Sequence, residues 1–240
     1  MCREKPDVVI LQETKKEVIN WALIGAVWGV RFKDWAYLPS VGKSGGILII
    51  WDVRVVRATE CITGSFSLSI HLSPLQGESW WLSGIYGPCR YREREEFWEE
   101  LAGLYGFCGD RWCLGGDFNI VRFPYEKLGV AGRGRLSKSM KDFNTFINET
   151  GLRDLNLTNA EFTWSNGRSS SRLDRFLFSL GWEDMFHSVR QEALIRVVSD
   201  HFPIIVNTNP FKWGPSPFRF ENMWLSHRVC GLFQNLVGRM

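Results

Sequence analysis

The alternation of apolar and polar positions divides much of the chain into short strands. Residues 7–11 (DVVIL) and 47–51 (ILIIW) are continuous apolar runs of the kind that forms buried strands. Residues 66–72 (FSLSIHL) alternate strictly, which predicts a half-buried antiparallel strand, and residues 79–87 (SWWLSGIYG) have the features of its neighbour. Further strand-like runs occupy residues 112–120, 161–164, 171–179 and 193–206, and the last of these is interrupted at Pro203.

Two segments change to helical spacing. From Arg92 to Tyr105, apolar residues recur three and four positions apart among glutamates, which predicts an amphipathic helix. A second helix is predicted from an N-cap at Ser137 to a stop at Gly151. Because strands often follow strands directly, the order of elements argues against a wholly parallel sheet. It favours a core of two β-sheets with helices on the outside.

The length and composition fit one large domain, since 45% of the 240 residues are hydrophobic. We expect this domain to span residues 1–208, followed at residues 209–240 by a linker rich in proline and glycine and the start of a helical segment. Six cysteines without CxxC spacing indicate neither a zinc site nor a disulfide framework. No apolar run is long enough to span a membrane and the N-terminus is charged, so we expect an intracellular protein without a membrane partner.

The basic residues are concentrated in one part of the sequence. A net charge of +3 alone does not indicate a polyanionic partner. Between residues 122 and 141, however, Glu126 is the one acid among six basic residues, and three arginines follow nearby (Arg122, Lys127, Arg133, Arg135, Lys138, Lys141; Arg168, Arg172, Arg175). These charges are either solvated loop residues or a phosphate-contacting surface. We favour the second interpretation because candidate catalytic residues flank both segments.

Several apolar runs end in polar groups suited to a hard cation or a phosphate. These groups are Gln12-Glu13, Asp117-Phe118-Asn119, Asp174 and Ser199-Asp200-His201. Period-two alternation points Asp117 and Asn119 to the same side of their strand, so both can meet one ligand. Carboxylates can hold magnesium and orient water, and an imidazole or amide can support charge on a phosphate. The spacing alone leaves open the alternative that these are structural residues at strand ends.

The order of the motifs adds a resemblance to a known family. PDVVILQET, SGGILIIW, IYGP, LGGDFN, SRLDRFL and SDHFPI stand in the order found in the endonuclease/exonuclease/phosphatase superfamily, over residues 5–206. FTWSNGRSSSRLDRFL and PFRFENMWL further resemble the endonuclease region of plant non-LTR (LINE-type) retrotransposons, which precedes a reverse transcriptase. The resemblance implies a four-layer α/β sandwich, Mg²⁺ or alternatively Mn²⁺ as cofactor, and a nuclear enzyme that nicks target DNA.

The resemblance also assigns metal and phosphate contacts. Glu13 corresponds to the metal ligand, and Asp200 to a residue that assists in positioning the metal or the water. Tyr86 corresponds to a contact of the scissile phosphate, and its alternative role is packing. Asn119 corresponds to a hydrogen-bond donor to the same phosphate.

The proton-transfer residues follow from the same resemblance. Asp117 corresponds to the residue that orients or deprotonates the attacking water, and His201 to the donor to the phosphate or the leaving oxygen. Asp174 would hold His201 in the required tautomer. The alternative for Asp174 is an ordinary salt bridge with Arg172 or Arg175.

One feature of the family pattern is not found in this sequence. Members begin with an additional strand carrying an asparagine, in a sequence like WNVRGL, and this chain starts after it. We therefore expect one inner sheet position to lack its strand, with unpaired backbone groups at the edge. Two alternatives to a DNA endonuclease remain open, namely a truncated, inactive remnant with weak nucleic-acid binding and a phosphomonoesterase acting on lipids or inositols.

Overall fold

A computed structural model describes residues 4–42, 45–129, 135–196 and 199–209. Except for Asn209, the predicted linker and helical segment at 209–240 lie outside these residues, as does Arg133 of the basic segment. Cys61, Cys89, Cys108 and Cys113 are free thiols, which agrees with the prediction for these four positions. Within the described part of the chain, no helix is long and apolar enough to cross a membrane.

The described residues form short strands with a few helices between them. The strands are β1 (Val8–Gln12), β2 (Lys33–Leu38), β3 (Ile47–Asp52), β4 (Val56–Thr63), β5 (Ser67–Pro74), β6 (Trp80–Tyr86), β7 (Trp112–Asp117), β8 (Lys127–Leu128), β9 (Arg153–Asp154), β10 (Trp164–Ser165), β11 (Ser170–Ser171), β12 (Asp174–Phe178), β13 (Arg190–Ala193) and β14 (Ile204–Asn207). The α-helices are α1 (Trp21–Val27), α2 (Arg94–Cys108), α3 (Lys138–Thr150) and α4 (Leu180–Glu183).

Two sheets pack face to face and form the centre of the fold. One has the order β1-β3-β2 and the other the order β4-β5-β6-β7-β12-β9. Their inner faces share a core that includes Ile49 from β3 and Leu68 and Ile70 from β5. β6 and β7 are parallel and the other pairs in both sheets are antiparallel, so the prediction against a wholly parallel sheet is confirmed.

Helices cover the outer faces of both sheets. Ile24 and Trp28, from α1 and its C-terminal end, pack on the three-stranded sheet through Leu48 and Ile50. On the other side, α2 and α3 bury a larger set of apolar side chains against the six-stranded sheet (Phe97, Leu101, Leu104, Phe143, Phe146, Ile147). The result is the predicted four-layer α/β sandwich.

The helix boundaries agree with the sequence pattern. The predicted helix at 92–105 corresponds to α2, which a short 3-10 turn at Tyr91–Glu93 precedes. Ser137 caps α3, since its Oγ accepts the Met140 backbone N–H at 3.2 Å. Gly151 ends the helix in the left-handed conformation, with φ at 65°. Both predicted ends of α3 are therefore confirmed.

The prediction that β5 is half-buried is wrong, because both of its faces are covered. Leu68 and Ile70 face the sheet interface, whereas Ser67 and Ser69 lie beneath the helical layer and are also buried. Ser69 pairs with the Ser83 hydroxyl at 2.6 Å, and Ser67 donates to Glu100 of α2 at 2.5 Å. Hydroxyls that bond to each other or to a helix can be buried, so a polar face does not require solvent.

The apolar run at residues 193–206 is also not one strand. β13 ends at Ala193 and β14 begins at Ile204, and the two strands pair antiparallel with Ala193 opposite Ile204. Between them the described residues 194–196 and 199–203 are loop residues, and Leu194 N donates to the Pro203 carbonyl at 2.7 Å. Pro203 has no N–H for a sheet ladder, which explains why β14 starts only after it. The loop carries Asp200 and His201.

Two of the edge strands, β1 and β14, each have one neighbour among the described residues and pack over the six-stranded sheet. There β1 pairs only with β3, and β14 pairs only with β13. β1 packs against β6 and β7, while β14 packs against β12, which is the neighbour of β7. Both free edges therefore lie over adjacent strands of the six-stranded sheet without forming a ladder with each other.

Candidate active site

Strand pairing places three of the predicted site residues in one row. Tyr86 at the end of β6 lies opposite Asp117 at the end of β7, and Asp117 lies opposite Asp174 at the start of β12. The loop before β14 brings His201 to the same row, where it forms an isolated bridge with Trp164. Residues from distant parts of the sequence thus converge because their strands are neighbours.

Asp117, Asp174 and His201 form the centre of the site. His201 Nδ1 lies 2.8 Å from Asp174 Oδ2, and His201 Nε2 lies 3.9 Å from Asp117 Oδ2. One ligand atom from each of the three residues lies within 4.8 Å of the others. Asp174 therefore contacts the imidazole as predicted for a positioning residue. The alternative salt bridge of Asp174 with Arg172 or Arg175 is not formed.

The protonation states of this group depend on each other. Burial and the nearby Asp174 carboxylate raise the pKa of Asp117 to about 7, against the effects of the Asn119 N–H and of His201. Burial by itself would lower the pKa of His201. The hydrogen bond to Asp174 and the surrounding carboxylates outweigh burial and raise that pKa to about 9. At neutral pH the imidazole is therefore protonated and can act as a donor.

Asn119 reaches the site through a turn rather than through strand alternation. Its φ is 53°, in the left-handed region, so the predicted period-two geometry does not extend to this residue. Its backbone N–H donates to Asp117 Oδ1 at 2.8 Å, and its side-chain Nδ2 donates to the Gly87 carbonyl at 2.8 Å. Phe118 between them is fully buried in the helical layer. The two polar residues do meet, but the contact of Asn119 with a phosphate stays a prediction.

Glu13 and Tyr86 form a pair at the edge of the site. The Tyr86 phenol donates to Glu13 Oε1 at 2.5 Å, and Lys15 Nζ lies 3.4 Å from the other oxygen of the same carboxylate. Burial and the Glu13 carboxylate raise the pKa of Tyr86 above its usual value, so the phenol stays neutral. Glu13 has a φ of 50°, which is rare for a residue with a side chain.

Asp200 is held by a neighbour that the sequence pattern did not identify as a partner. The Trp164 indole N–H donates to Asp200 Oδ2 at 2.7 Å, and this bond lowers the pKa of Asp200. Arg196 donates to the Asp200 carbonyl at 2.9 Å. Asp200 and Glu13 are not members of the group within 4.8 Å, so their predicted roles as metal ligands stay predictions. The Trp164 contact joins residues 36 positions apart, which no local signal indicates.

Part of the predicted phosphate-contacting surface is instead a buried ionic network. Arg175 is fully buried and pairs with Glu126 at 2.9 Å and with Asp154 at 2.6 Å. Arg172 and Arg122 also pair with Asp154, at 2.6 and 2.9 Å. The interpretation of these three arginines as DNA contacts is therefore wrong. Asp154 pairs with all three arginines but lies outside residues 122–141. A count of the charges within that segment therefore does not include it.

A four-layer sandwich with carboxylates and an imidazole at its strand ends is an architecture suited to phosphoester hydrolysis. The sequence profile of the Endonuclease/Exonuclease/phosphatase family matches residues 3–201, and the chain belongs to this family. A comparison with curated proteins finds no match.

Solved structures give the same fold at low sequence identity. The chain is similar to the endonuclease domain of TRAS1, a telomere-specific non-LTR retrotransposon, with 16% identity, a TM-score of 0.67, and coverage of 86% of this chain and 87% of that one. The 3′ phosphatase NExo from Neisseria bound to product DNA hairpin gives 16% identity and a TM-score of 0.66, with coverage of 86% and 90%. The AP endonuclease LMAP from Leishmania major gives 19% identity and a TM-score of 0.63, with coverage of 84% and 78%.

Enzymes of this family use divalent metals, and the donor set of the site fits a hard cation. Glu13 and Asp174 both raise the pKa of Asp117, so at least three carboxylates repel one another there. A divalent cation would offset this repulsion, and carboxylate oxygens are the ligands that Mg²⁺ and Mn²⁺ prefer. His201 is protonated at neutral pH without a metal ion, so an ion bound through its nitrogen would have to displace that proton. Among the described residues, the ligand atoms of Asp117, Asp174 and His201 lie close enough to hold one ion, and Glu13 as a ligand stays a prediction.

Proposed function

We propose that this chain is a divalent-metal-dependent DNA endonuclease of retrotransposon origin that nicks its target. The observation that carries the proposal is the contact of Asp117, Asp174 and His201, whose ligand atoms lie within 4.8 Å, in a member of a phosphodiester-hydrolysing family. DNA is favoured as the substrate because the similar structures named above include DNA-processing enzymes. Fusion to a reverse transcriptase and a nuclear location belong to the same proposal.

Each residue has a defined part in the proposed reaction. Asp117 orients the attacking water and accepts its proton, which its pKa of about 7 permits near neutral pH. His201, kept protonated by Asp174, donates a proton to the phosphate or to the leaving oxygen. Tyr86 stays neutral and donates a hydrogen bond to the phosphate. Glu13, with assistance from Asp200, would hold a cation, which would supply positive charge that offsets the charge on the phosphate.

Nicking of supercoiled plasmid with Mg²⁺ or Mn²⁺ tests the proposal. Asp117→Ala and His201→Ala are each expected to lower the nicking rate by roughly 10²- to 10⁴-fold, because each removes a proton-transfer group. Asp184→Ala and His187→Ala are matched controls, since both residues are exposed and lie outside the site. Near-wild-type nicking by folded Asp117→Ala and His201→Ala would reject the assignment.

A phosphomonoesterase is the second candidate function. It is favoured by the similarity to a 3′ phosphatase, and the shared chemistry does not determine the leaving group. Release of phosphate from a 3′-phosphorylated oligonucleotide or from inositol phosphates, without nicking of plasmid, would replace the endonuclease proposal.

An inactive remnant is the third candidate, and the free edges of β1 and β14 favour it. In that case DNA binding would depend steeply on salt concentration, and no metal-dependent cleavage of any of these substrates would be detected.

A further inference from the structure

A cluster of basic residues lies beside the candidate active site, at the point where α2 and α3 begin. Arg94 and Lys138 are the first residues of these helices. Arg94 Cζ lies 5.9 Å and Lys138 Nζ 5.8 Å from the centroid of the Tyr91 ring, which is 55% exposed. The ring therefore holds two cationic side chains near each other on the surface.

These two cations lack an acidic partner in the described part of the chain. Neither Arg94 nor Lys138 forms an ion pair there, and the nearby acids, Asp142 for both and Glu95 for Lys138, act only through their charge. Both also occupy first helical positions, where a positive charge opposes the helix dipole and is unfavourable for helix stability. The arginines of the buried network each pair with Glu126 or Asp154, in contrast to this pair.

The cluster is connected to the catalytic row through the loop after β6. Gly87 at the start of the loop donates its N–H to the Asp117 carbonyl at 2.7 Å, and its own carbonyl accepts from Asn119. Farther along, partial burial and the carboxylates of Asp117 and Glu13 raise the pKa of the Cys89 thiol, while Arg94 lowers it. Tyr91 follows Gly87 by four residues, so the cluster lies within roughly 14 Å of the residue that contacts Asp117.

The surface beside Tyr91 is open and basic. A cleft of about 540 Å³ is lined by Arg90, Tyr91, Arg92 and Glu93. Arg90 pairs with Glu93 at 3.4 Å and is largely exposed, and Arg92 is exposed without an acidic partner among the described residues. Exposed cations around an aromatic ring are typical of surfaces that follow a nucleic-acid backbone.

We propose that Arg94 and Lys138, held by Tyr91, form a second phosphate-binding subsite that takes a backbone phosphate of the DNA strand next to the scissile one. This inference rests on the proposed function, because it identifies DNA as the ligand. The subsite positions the strand and takes no part in proton transfer. Its loss therefore weakens DNA binding without changing the hydrolysis of a substrate too small to reach it.

Binding of a short fluorescent DNA duplex to the full chain, measured in EDTA over a series of salt concentrations, tests the subsite. Lys138→Ala and Arg94→Gln are each expected to weaken binding about threefold to tenfold, as for the loss of one hydrogen bond of ordinary strength on a solvated surface. Each is also expected to reduce the slope of log K against log salt by about 0.9, as for the loss of one phosphate contact. Arg57→Ala is the matched control, since Arg57 is exposed on the edge strand β4.

A second measurement separates this inference from the proposed function. With Mg²⁺ or Mn²⁺, Lys138→Ala is expected to hydrolyse bis(p-nitrophenyl) phosphate at the wild-type rate while its KM for plasmid rises. Arg94 donates to Ser139 at 2.5 Å, so Arg94→Gln is also checked for thermal stability, and the exposed Lys138 gives the decisive variant.

The subsite would be overturned if Lys138→Ala bound DNA with the wild-type affinity and the wild-type salt dependence. It would also be overturned if Arg57→Ala lost as much DNA affinity as Lys138→Ala. A wild-type chain that cleaves neither substrate would refute the proposed function instead, and the binding measurement in EDTA would still decide the subsite.

Discussion

The Asp117 carboxylate is held where its own negative charge is unfavourable. Its pKa is raised from 3.8 to about 7, so the folded state retains a proton that the unfolded state loses at lower pH. The resulting loss of stability is absent below the unfolded pKa and complete above the folded one. Asp117→Asn is therefore expected to differ little from wild type near about pH 4, close to the unfolded pKa, and to be more stable by about 1 to 2 kcal/mol near about pH 8.

Thermal denaturation in EDTA at the two pH values measures this difference. Asp117 contributes to the raised pKa of His201, so the variant also loses part of the interaction that stabilises the protonated imidazole. The expected gain of about 1 to 2 kcal/mol in the free energy of unfolding includes this loss. A variant less stable than wild type at the higher pH would show that the Asp117 charge is well compensated. The same variant should be inactive, so stability and activity are opposed at this residue.

Thr163 supports the site through hydrogen bonds that the sequence pattern did not indicate. It is fully buried, and its Oγ1 accepts the backbone N–H groups of Leu173 and Asp174, both at 2.9 Å. Thr163→Val preserves the shape but leaves both donors unpaired, so we expect a loss of about 1 to 3 kcal/mol and slower nicking. Thr163→Ser retains the hydroxyl oxygen and should have most of the wild-type stability and most of the wild-type nicking rate. Urea denaturation of the pair checks this, and equal stability of the Val and Ser variants would contradict it.

The parallel pairing of β6 and β7 depends on close backbone approach at Gly116. Its φ is 149°, and an added Cβ would overlap the Ile85 carbonyl oxygen and the Gln12 side chain. Gly116→Ala is expected to destabilise the fold by at least about 2 kcal/mol. Gly103→Ala is the control, because Gly103 lies exposed inside α2 with open space around it and should stabilise by about 0.5 to 1 kcal/mol. Melting temperatures that shift in opposite directions would confirm both expectations.

Local patterns in the sequence were sufficient for some elements and not for others. The ends of α3 were predictable because Ser137 and Gly151 act within one helical turn. β2 and β4 were not predicted, since their positions depend on pairing with β3 and β5. In the site, the motif resemblance indicated the contact of Asp174 with His201. The contacts of Trp164 with Asp200 and of Arg175 with Asp154 join distant segments, so neither motif nor periodicity could indicate them.

The free edges of β1 and β14 have a consequence for the stability of the whole molecule. β3 is paired on both sides and fully buried, whereas β1 and β14 each have one neighbour in the described part of the chain. In an antiparallel pair, the N–H groups of an edge strand point alternately toward its neighbour and away from it. Amide hydrogen exchange is therefore expected to be slowest in β3 and β7, with alternating fast and slow positions along β1.

Exchange measured by NMR over residues 8–12 and 47–52 provides the comparison, with β2 as a second edge strand that acts as the control. Uniformly slow exchange along β1, at the level of β3, would mean that something covers the edge, and sedimentation would show whether a second copy does so. If the edge is open, an added strand that pairs with β1 should slow exchange there and raise the nicking rate, because Glu13 directly follows this strand. The inactive-remnant alternative would then reduce to a missing backbone ladder beside an otherwise assembled site.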